Sequence, residues 1–193
     1  MKIQNTFFVL ALMLAQSFVS AQDKYVDKNG QVTFEASEKL FEEVKATNSS
    51  VTAIFDSGTL EIASLALVKG FTFKNSLMEE HFNENYIESE TYPKATFKGN
   101  LKDLDVSSLS EETTKVPVAG TLELHGKGKQ VNTELDVKRV GDIIEMTGNF
   151  VVAPADFDIE IPKIVANKIA KQVQVALHFK IQKRCKQASP TSF

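Results

Sequence analysis

Apolar and polar residues alternate along most of the chain after residue 30, which is the pattern of half-buried β-strands. About eight segments show it, separated by turns such as Asp56-Ser57-Gly58, Gly126-Lys127-Gly128-Lys129 and Gly141-Asp142. The clearest apolar rows lie in 32–36, 51–55, 60–73, 95–97, 116–124, 131–137, 144–152 and 173–181. Strands joined by short turns pair antiparallel. The pattern therefore predicts an all-β fold whose sheet either closes into a barrel or packs on a second sheet.

Two segments have helical periodicity instead. Residues 76–87 are predicted to form a short helix. One face of this helix carries Leu77, Met78, His81 and Phe82, and its first turn carries Glu79 and Glu80, where the helix dipole favours acidic residues. Residues 163–171 follow Pro162 and are predicted to form a second short helix with Ile164, Val165 and Ile169 turned inward. We expect each helix to cover an end or a side of the sheet.

The first 21 residues have the order of a secretory signal peptide. Lys2 supplies the positive charge, Phe7–Ala15 the apolar core and Val19-Ser20-Ala21 the small-residue cleavage site. We expect cleavage after Ala21 and a periplasmic or secreted protein. An uncleaved anchor is the alternative, but the apolar run is shorter than the about 20 residues that span a bilayer, and no later segment is long and apolar enough to do so. Because the alternation begins only near Val32, about ten residues after Ala21 are expected to be a loosely held lead-in.

Composition limits the class of partner and the number of domains. The formal net charge is −3 and no block of Lys or Arg occurs, which argues against nucleic acid as a partner. The length suits one folded domain, at residues 22–183, followed by a polar tail at 184–193. The single cysteine, Cys185, lies in that tail and has no partner for an internal disulfide. We expect a free surface thiol, with an intermolecular bridge as the alternative.

Residues that would indicate catalysis or metal binding are few. The chain has no Gly-x-Ser-x-Gly motif, and its three histidines lie on different predicted elements without the spacing of a zinc-binding helix. We expect His81 to contact the core, His125 to make a local hydrogen bond at its turn and His178 to be solvated. The sequence therefore predicts no catalytic residue, no metal ligand and no cofactor.

The segment Phe71–Leu101, FTFKNSLMEEHFNENYIESETYPKATFKGNL, resembles the signature region of the YceI-like family of exported polyisoprenoid-binding proteins. The likeness includes the His81-Phe82 helix end, the strand start at Tyr92–Phe97 and the hairpin at Gly120–Gly126. It implies an eight-stranded antiparallel, lipocalin-like barrel with one or two short helices and an apolar internal cavity. Asp156-Phe157 matches the family without the arginine and glycine that often flank it, and the region 37–50 lacks a histidine-rich start, so the ligand's identity stays open.

The resemblance also implies which residues face the interior of the barrel. The predicted lining of a ligand cavity consists of Phe34, Phe55, Ile62, Phe71, Phe73, Phe97, Leu122, Leu124, Phe150 and Phe179, with Leu77, Met78, Phe82 and Tyr86 near a mouth or flank. An eight-stranded barrel is just wide enough to be filled by such side chains or to hold one slender ligand.

The function predicted from these features is non-catalytic binding, sequestration or transport of a long-chain isoprenoid or another amphiphilic lipid in the cell envelope. One alternative is a packed barrel that binds another envelope protein through its outer face, for instance at Glu79 and Glu80. A lipid-modifying enzyme with a histidine and a carboxylate inside the cavity is another. A void inside the barrel distinguishes lipid binding from the packed barrel, because only lipid binding requires it. A homodimer that covers a cavity mouth is a further option that no residue requires.

Overall fold

The computed structural model describes residues 24–38 and 41–184. The predicted signal peptide and the tail with Cys185 lie outside these residues. The strands are β1 (Lys24–Ser37), β2 (Lys45–Asp56), β3 (Glu61–Leu67), β4 (Thr72–Phe73), β5 (Lys94–Leu101), β6 (Thr114–Leu124), β7 (Lys127–Val140), β8 (Ile143–Val152) and β9 (Ile169–Lys183). Helix α1 (Ser76–His81) continues into a π-helical turn (Phe82–Tyr86), and two 3-10 turns cover Val68–Gly70 and Pro154–Phe157.

Eight of the strands close into a barrel. They follow the order β1-β9-β8-β7-β6-β5-β3-β2, and β1 pairs with β2 to complete the ring. All pairings are antiparallel, and the two-residue β4 adds to β2 at Ala46 and Thr47. The predicted eight-stranded antiparallel barrel is confirmed. Closure pairs the strand edges that an open sheet would leave exposed.

The hairpin between β6 and β7 shows how local sequence sets the register. Its two-residue turn, His125-Gly126, has positive φ at both positions, 50° and 70°, as the tightest hairpin turns require. A Cβ atom at Gly126 would also lie 2.8 Å from Cε1 of Tyr92. The turn is shorter than the predicted Gly126–Lys129, because Lys127 already pairs with Leu124 as the first residue of β7.

The first strand begins earlier than the alternation indicates. Tyr25 pairs with Phe55 on β2 and with Lys183 on β9, so the predicted loose lead-in is wrong for residues 24–31. A register shift between Asp27 and Gly30 interrupts the alternation, and the inward residue there is polar. The Asp27 carboxylate accepts backbone N–H bonds from Asn29 and Lys180 at 2.8 and 2.7 Å, which satisfies it in a position that is 9% exposed.

The second predicted helix is also wrong. Residues 163–168 form consecutive turns, and β9 begins at Ile169. The turns have the backbone bonds Val165 N–H to Pro162 O and Lys168 N–H to Val165 O, at 3.0 and 2.8 Å. A nine-residue segment gains few helical hydrogen bonds after the costly first turn, so short segments of this kind adopt other structures readily. Ile164, predicted to face inward, is 85% exposed.

The first predicted helix is present and shorter than residues 76–87. Asn75 caps it, because its side-chain oxygen accepts the Leu77 N–H at 2.9 Å. Within the described residues, no helix has the length and apolar character that crossing a membrane requires.

The core fills the half of the barrel in which β1 begins. Its residues include Tyr25, Ala53, Phe55, Leu101, Val116, Val137, Ile144, Met146 and Ile181. The connection from β5 to β6 covers this end with Leu104 and Leu109, which are 8% and 7% exposed. Above this core, toward the other end of the barrel, the ring of Phe97 lies against Gly99 and Gly120. A Cβ atom at Gly99 or Gly120 would lie 2.7 or 2.6 Å from Cζ of Phe97. The interior is therefore closed at one end.

Candidate functional site

A cavity of about 380 Å³ occupies the other half of the barrel. It opens between α1 and the connection from β8 to β9, where the lining residues His81 and Lys168 are exposed to solvent. We call this opening the mouth. Ligand pockets in proteins range from about 300 to 1,000 Å³, so the cavity is large enough for a slender small molecule.

The cavity wall is built from alternate residues of all eight long strands. Its apolar members from these strands include Val32, Phe34, Val51, Ile62, Ala66, Ala95, Phe97, Val118, Leu122, Leu124, Val131, Leu135, Phe150, Val152, Val173, Val175, Leu177 and Phe179. Among the described residues that line the cavity, none is Asp or Glu, and Lys168 is the one side chain with a permanent charge. A wall of this composition favours hydrocarbon over polar solutes.

Three strand residues with hydroxyl groups, Ser64, Thr96 and Thr133, interrupt the apolar wall in different ways. The Thr96 hydroxyl on β5 donates to Glu123 Oε2 at 3.1 Å. The Thr133 hydroxyl on β7 donates to the Asn149 carbonyl at 2.8 Å, so its hydrogen is engaged within the barrel. Ser64 on β3 lies between the inward residues Ile62 and Ala66 and has no hydrogen-bond partner among the described residues. The Ser64 hydroxyl is thus a free donor and acceptor close to the cavity floor.

Four phenylalanines form one side of the mouth. Phe34 on β1 contacts Phe71, Phe73 and Phe82, with ring centroids 5.4, 5.7 and 5.3 Å apart. Phe82, which follows α1, also lies 5.2 Å from Phe73 and 6.2 Å from Phe71. These separations are those of favourable aromatic pairs. The cluster attaches the helical segment to the barrel, and the four rings also form part of the cavity wall.

His125 joins three segments beside the mouth. Its Nδ1 lies 2.9 Å from the Phe157 carbonyl oxygen, and because a carbonyl can only accept, Nδ1 carries the hydrogen. Its ring centroid lies 4.3 Å from that of Tyr92. Its buried Nε2 has no hydrogen bond to any described residue and lies 3.9 Å from Glu88 Oε1. The bond of His125 is therefore long-range rather than local to its turn. It holds the Pro154–Phe157 turn, whose buried Phe157 lines the cavity.

The other two histidines differ from their predicted roles. His81 is exposed at the mouth rather than packed into the core. His178 is half-exposed on the outer face, and its Nε2 lies 2.6 Å from Glu145 Oε1. Hydrogen bonds from His178 and then Lys138 lower the pKa of the Glu145 carboxyl below its ordinary value, outweighing partial burial. Within the described residues, no group of His, Cys, Asp and Glu could hold a metal ion.

Most of the predicted lining residues surround the cavity. They are Phe34, Ile62, Phe71, Phe73, Met78, Phe82, Tyr86, Phe97, Leu122, Leu124, Phe150 and Phe179. Phe55 and Leu77 do not line it. Phe55 is fully buried in the core below the floor, and Leu77 is 55% exposed because α1 turns that face to solvent. That any of these residues contacts a ligand stays a prediction.

Several parts of the wall are absent from the predicted lining, among them the inner rows of β7 (Val131, Thr133 and Leu135) and β9 and part of the connection between β8 and β9. Val173, Val175 and Leu177 form the inner row of β9, and their period-two spacing was a usable signal. Ile159, Ile161 and Val165 line the cavity from the irregular connection between β8 and β9. That connection has no repeating geometry from which the direction of a side chain could be read.

Comparison with known proteins decides the family. The YceI-like domain matches residues 16–181. The chain belongs to the YceI-like domain family. No curated protein matches the chain.

Solved structures share this fold at low sequence identity. A polyisoprenoid-binding domain from Saccharophagus degradans has a TM-score of 0.73 and 19% identity, over 84% of this chain and 99% of that one. BcnA from Burkholderia cenocepacia has a TM-score of 0.66 and 18% identity, over 82% and 99%. The YCEI protein of Campylobacter jejuni has a TM-score of 0.62 and 15% identity, over 77% and 90%. These likenesses concern the fold.

Proposed function

We propose that this YceI-like protein binds a long-chain isoprenoid or another amphiphilic lipid in its barrel and sequesters or carries it without altering it. The observation that carries the proposal is the apolar cavity of about 380 Å³, closed at one end and open at the other. The Saccharophagus degradans neighbour is described as a polyisoprenoid-binding domain, which supports the same class of ligand.

The energetics suit a flexible hydrocarbon chain. Each buried methylene contributes about 0.8 kcal/mol, against a cost of association of about 4 to 15 kcal/mol. A ligand must therefore bury many methylenes to bind, which a long chain achieves and a short one does not. Because burial has no directional requirement, we expect loose selectivity for branching and for the exact chain length.

The two alternatives have less support. A packed barrel that acts only through its outer face does not need an interior void, and the cavity weighs against it. An enzyme acting on the same lipid needs groups that can move a proton. Among the described lining residues His81 is present without any carboxylate, and this supports binding without chemistry.

We also propose that the protein works in the periplasm or outside the cell, since residues 1–21 have the order of a signal peptide. The expected N-terminus of the protein purified from its host is Gln22. Recovery of the chain in the cytoplasmic fraction with Met1 retained would contradict export.

Titration of delipidated protein with geranylgeraniol, followed by native mass spectrometry, tests the binding proposal. We expect a one-to-one complex that competes with other long-chain amphiphiles, and no complex with isopentenol, which offers too few methylenes. The chain has no tryptophan, so mass is a better readout than intrinsic fluorescence. Failure of every long-chain probe to bind would remove the proposal.

A further inference from the structure

The charges at the mouth are unevenly distributed. Among the described residues that line the cavity, Lys168 alone is permanently charged, and no acidic side chain shares the lining with it. Lys168 lies at the end of the turns that precede β9, next to the lining residues Val165 and Ile169. The described part of the mouth therefore presents a cation and no lining carboxylate.

The Lys168 ammonium has no ion-pair partner within the described residues, although other lysines of the chain do. Lys127 lies 2.7 Å from Asp158, and Lys115 lies 2.9 Å from Glu134. The backbone of Lys168 is fixed, because its N–H donates to the Val165 carbonyl at 2.8 Å. A lysine in this setting lays its methylene stem along the apolar rim and keeps its ammonium in water.

The acidic side chains near the mouth lie outside the cavity lining. Glu79 on α1 accepts the Phe73 N–H at 3.0 Å, and Glu42 accepts a bond from the Asn75 amide at 3.4 Å. Neither residue lines the cavity, and the exposed Glu80 and Glu84 do not line it either. Glu38 lies close to Ala166, Asn167 and Ile169, and Glu160 lies between the lining residues Ile159 and Ile161, but neither lines the cavity. Among the described residues, Lys168 is thus the permanently charged side chain that borders the ligand space.

We infer that the cavity selects amphiphiles with an anionic headgroup, a carboxylate or a phosphate monoester, held at the mouth beside Lys168 while the hydrocarbon chain fills the barrel. The inference rests on the proposed function and specifies its ligand. The reverse orientation would bury the anion among apolar walls without a counter-charge, which is strongly unfavourable. A neutral headgroup at the mouth gains no attraction from Lys168.

Three matched probes separate the headgroup from the chain: geranylgeranoic acid, geranylgeranyl phosphate and geranylgeraniol. The delipidated protein is titrated with each at low and at high salt. An exposed ion pair at the edge of an apolar surface is worth up to about 1 kcal/mol, so we expect at least one of the two anions to bind about fivefold tighter than the alcohol. Salt should narrow that gap, because the pair is open to solvent.

Lys168→Ala should remove the gap, because it should weaken binding of the anions more than binding of the alcohol. Lys163→Ala is the matched control, since Lys163 carries the same charge five residues earlier, is exposed and does not line the cavity. It should keep the gap. A preference for one anion alone would identify carboxylate or phosphate as the headgroup.

Equal affinities for all three probes, or an equal loss of all three in Lys168→Ala, would overturn the inference and leave the proposed function intact. Failure of all three to bind the unmodified protein would instead contradict the proposed function itself. The two failures are therefore distinguishable in one set of titrations.

Discussion

A substitution that fills the cavity with a larger side chain tests whether the barrel contains a void or is fully packed. Ala95 on β5 lies beside Ala66 on β3, and both alanines line the cavity. In the Ala95→Phe variant the new phenyl group occupies ligand space. If it displaces about three methylenes of a bound chain, at about 0.8 kcal/mol each, the loss is about 2.4 kcal/mol, or about fiftyfold in affinity.

The stability of the same variant is expected to change in the opposite sense. A phenyl group that enters a void buries additional apolar surface, so the free energy of unfolding of the delipidated protein should stay the same or rise. A filled interior would respond differently, because overpacking typically costs about 1 to 3 kcal/mol. The two measurements together therefore report on the void.

The assay combines titration with geranylgeraniol and urea unfolding of the ligand-free protein. Ala63→Phe is the control, since Ala63 on β3 pairs with Ile54 and Lys98 and does not line the cavity. It should leave affinity unchanged. Unchanged affinity in Ala95→Phe, or a loss of stability of the size that overpacking produces, would show that the barrel has no void for a ligand.

Three further substitutions test single contacts. Because the pKa of Glu145 is lowered in the folded protein, its stabilisation is present above the ordinary carboxyl pKa and is lost as pH falls through the folded pKa. Glu145→Gln should therefore lower the free energy of unfolding in urea by about 1 kcal/mol at pH 7, and this difference should shrink as pH falls below the ordinary carboxyl pKa. His125→Ala leaves the Phe157 carbonyl without its donor and should lower the unfolding free energy by about 1 to 3 kcal/mol, whereas an unchanged value would mean that water replaces the imidazole. Ser64→Ala removes the free hydroxyl near the cavity floor and should strengthen binding of squalene, a pure hydrocarbon, by about fivefold; weaker binding would show that the hydroxyl is not left unpaired.

The regular part of the fold could be predicted from the sequence because strand periodicity is local. Rows such as Val173, Val175 and Leu177 alternate with polar residues, and the same rows face the barrel interior. Closure could not be read from periodicity, since it depends on the pairing of β1 with β2 and β9. The family resemblance supplied it.

The errors arose where a local signal competed with long-range contacts. The register shift between Asp27 and Gly30 interrupts the alternation, so the first half of β1 does not show a strand pattern. The inward carboxylate of Asp27 accepts a hydrogen bond from the backbone N–H of Lys180, which is distant in sequence. The segment 163–171 has helical spacing but is too short to specify a helix, and its last three residues belong to β9. The alternation along β2 shows that Phe55 points inward, but it does not show how deep in the barrel Phe55 lies. Phe55 is therefore predicted to line the cavity, whereas it is fully buried in the core.

Whether the barrel carries a lipid in its own host is decided by identifying the molecule that co-purifies with the protein. Native mass spectrometry of the intact complex gives the stoichiometry, and organic extraction followed by mass analysis gives the chemical class. We expect one long-chain amphiphile for each chain, and we expect Ala95→Phe to purify without it. Protein that is consistently empty, and that also refuses long-chain probes after purification, would contradict the proposed lipid binding.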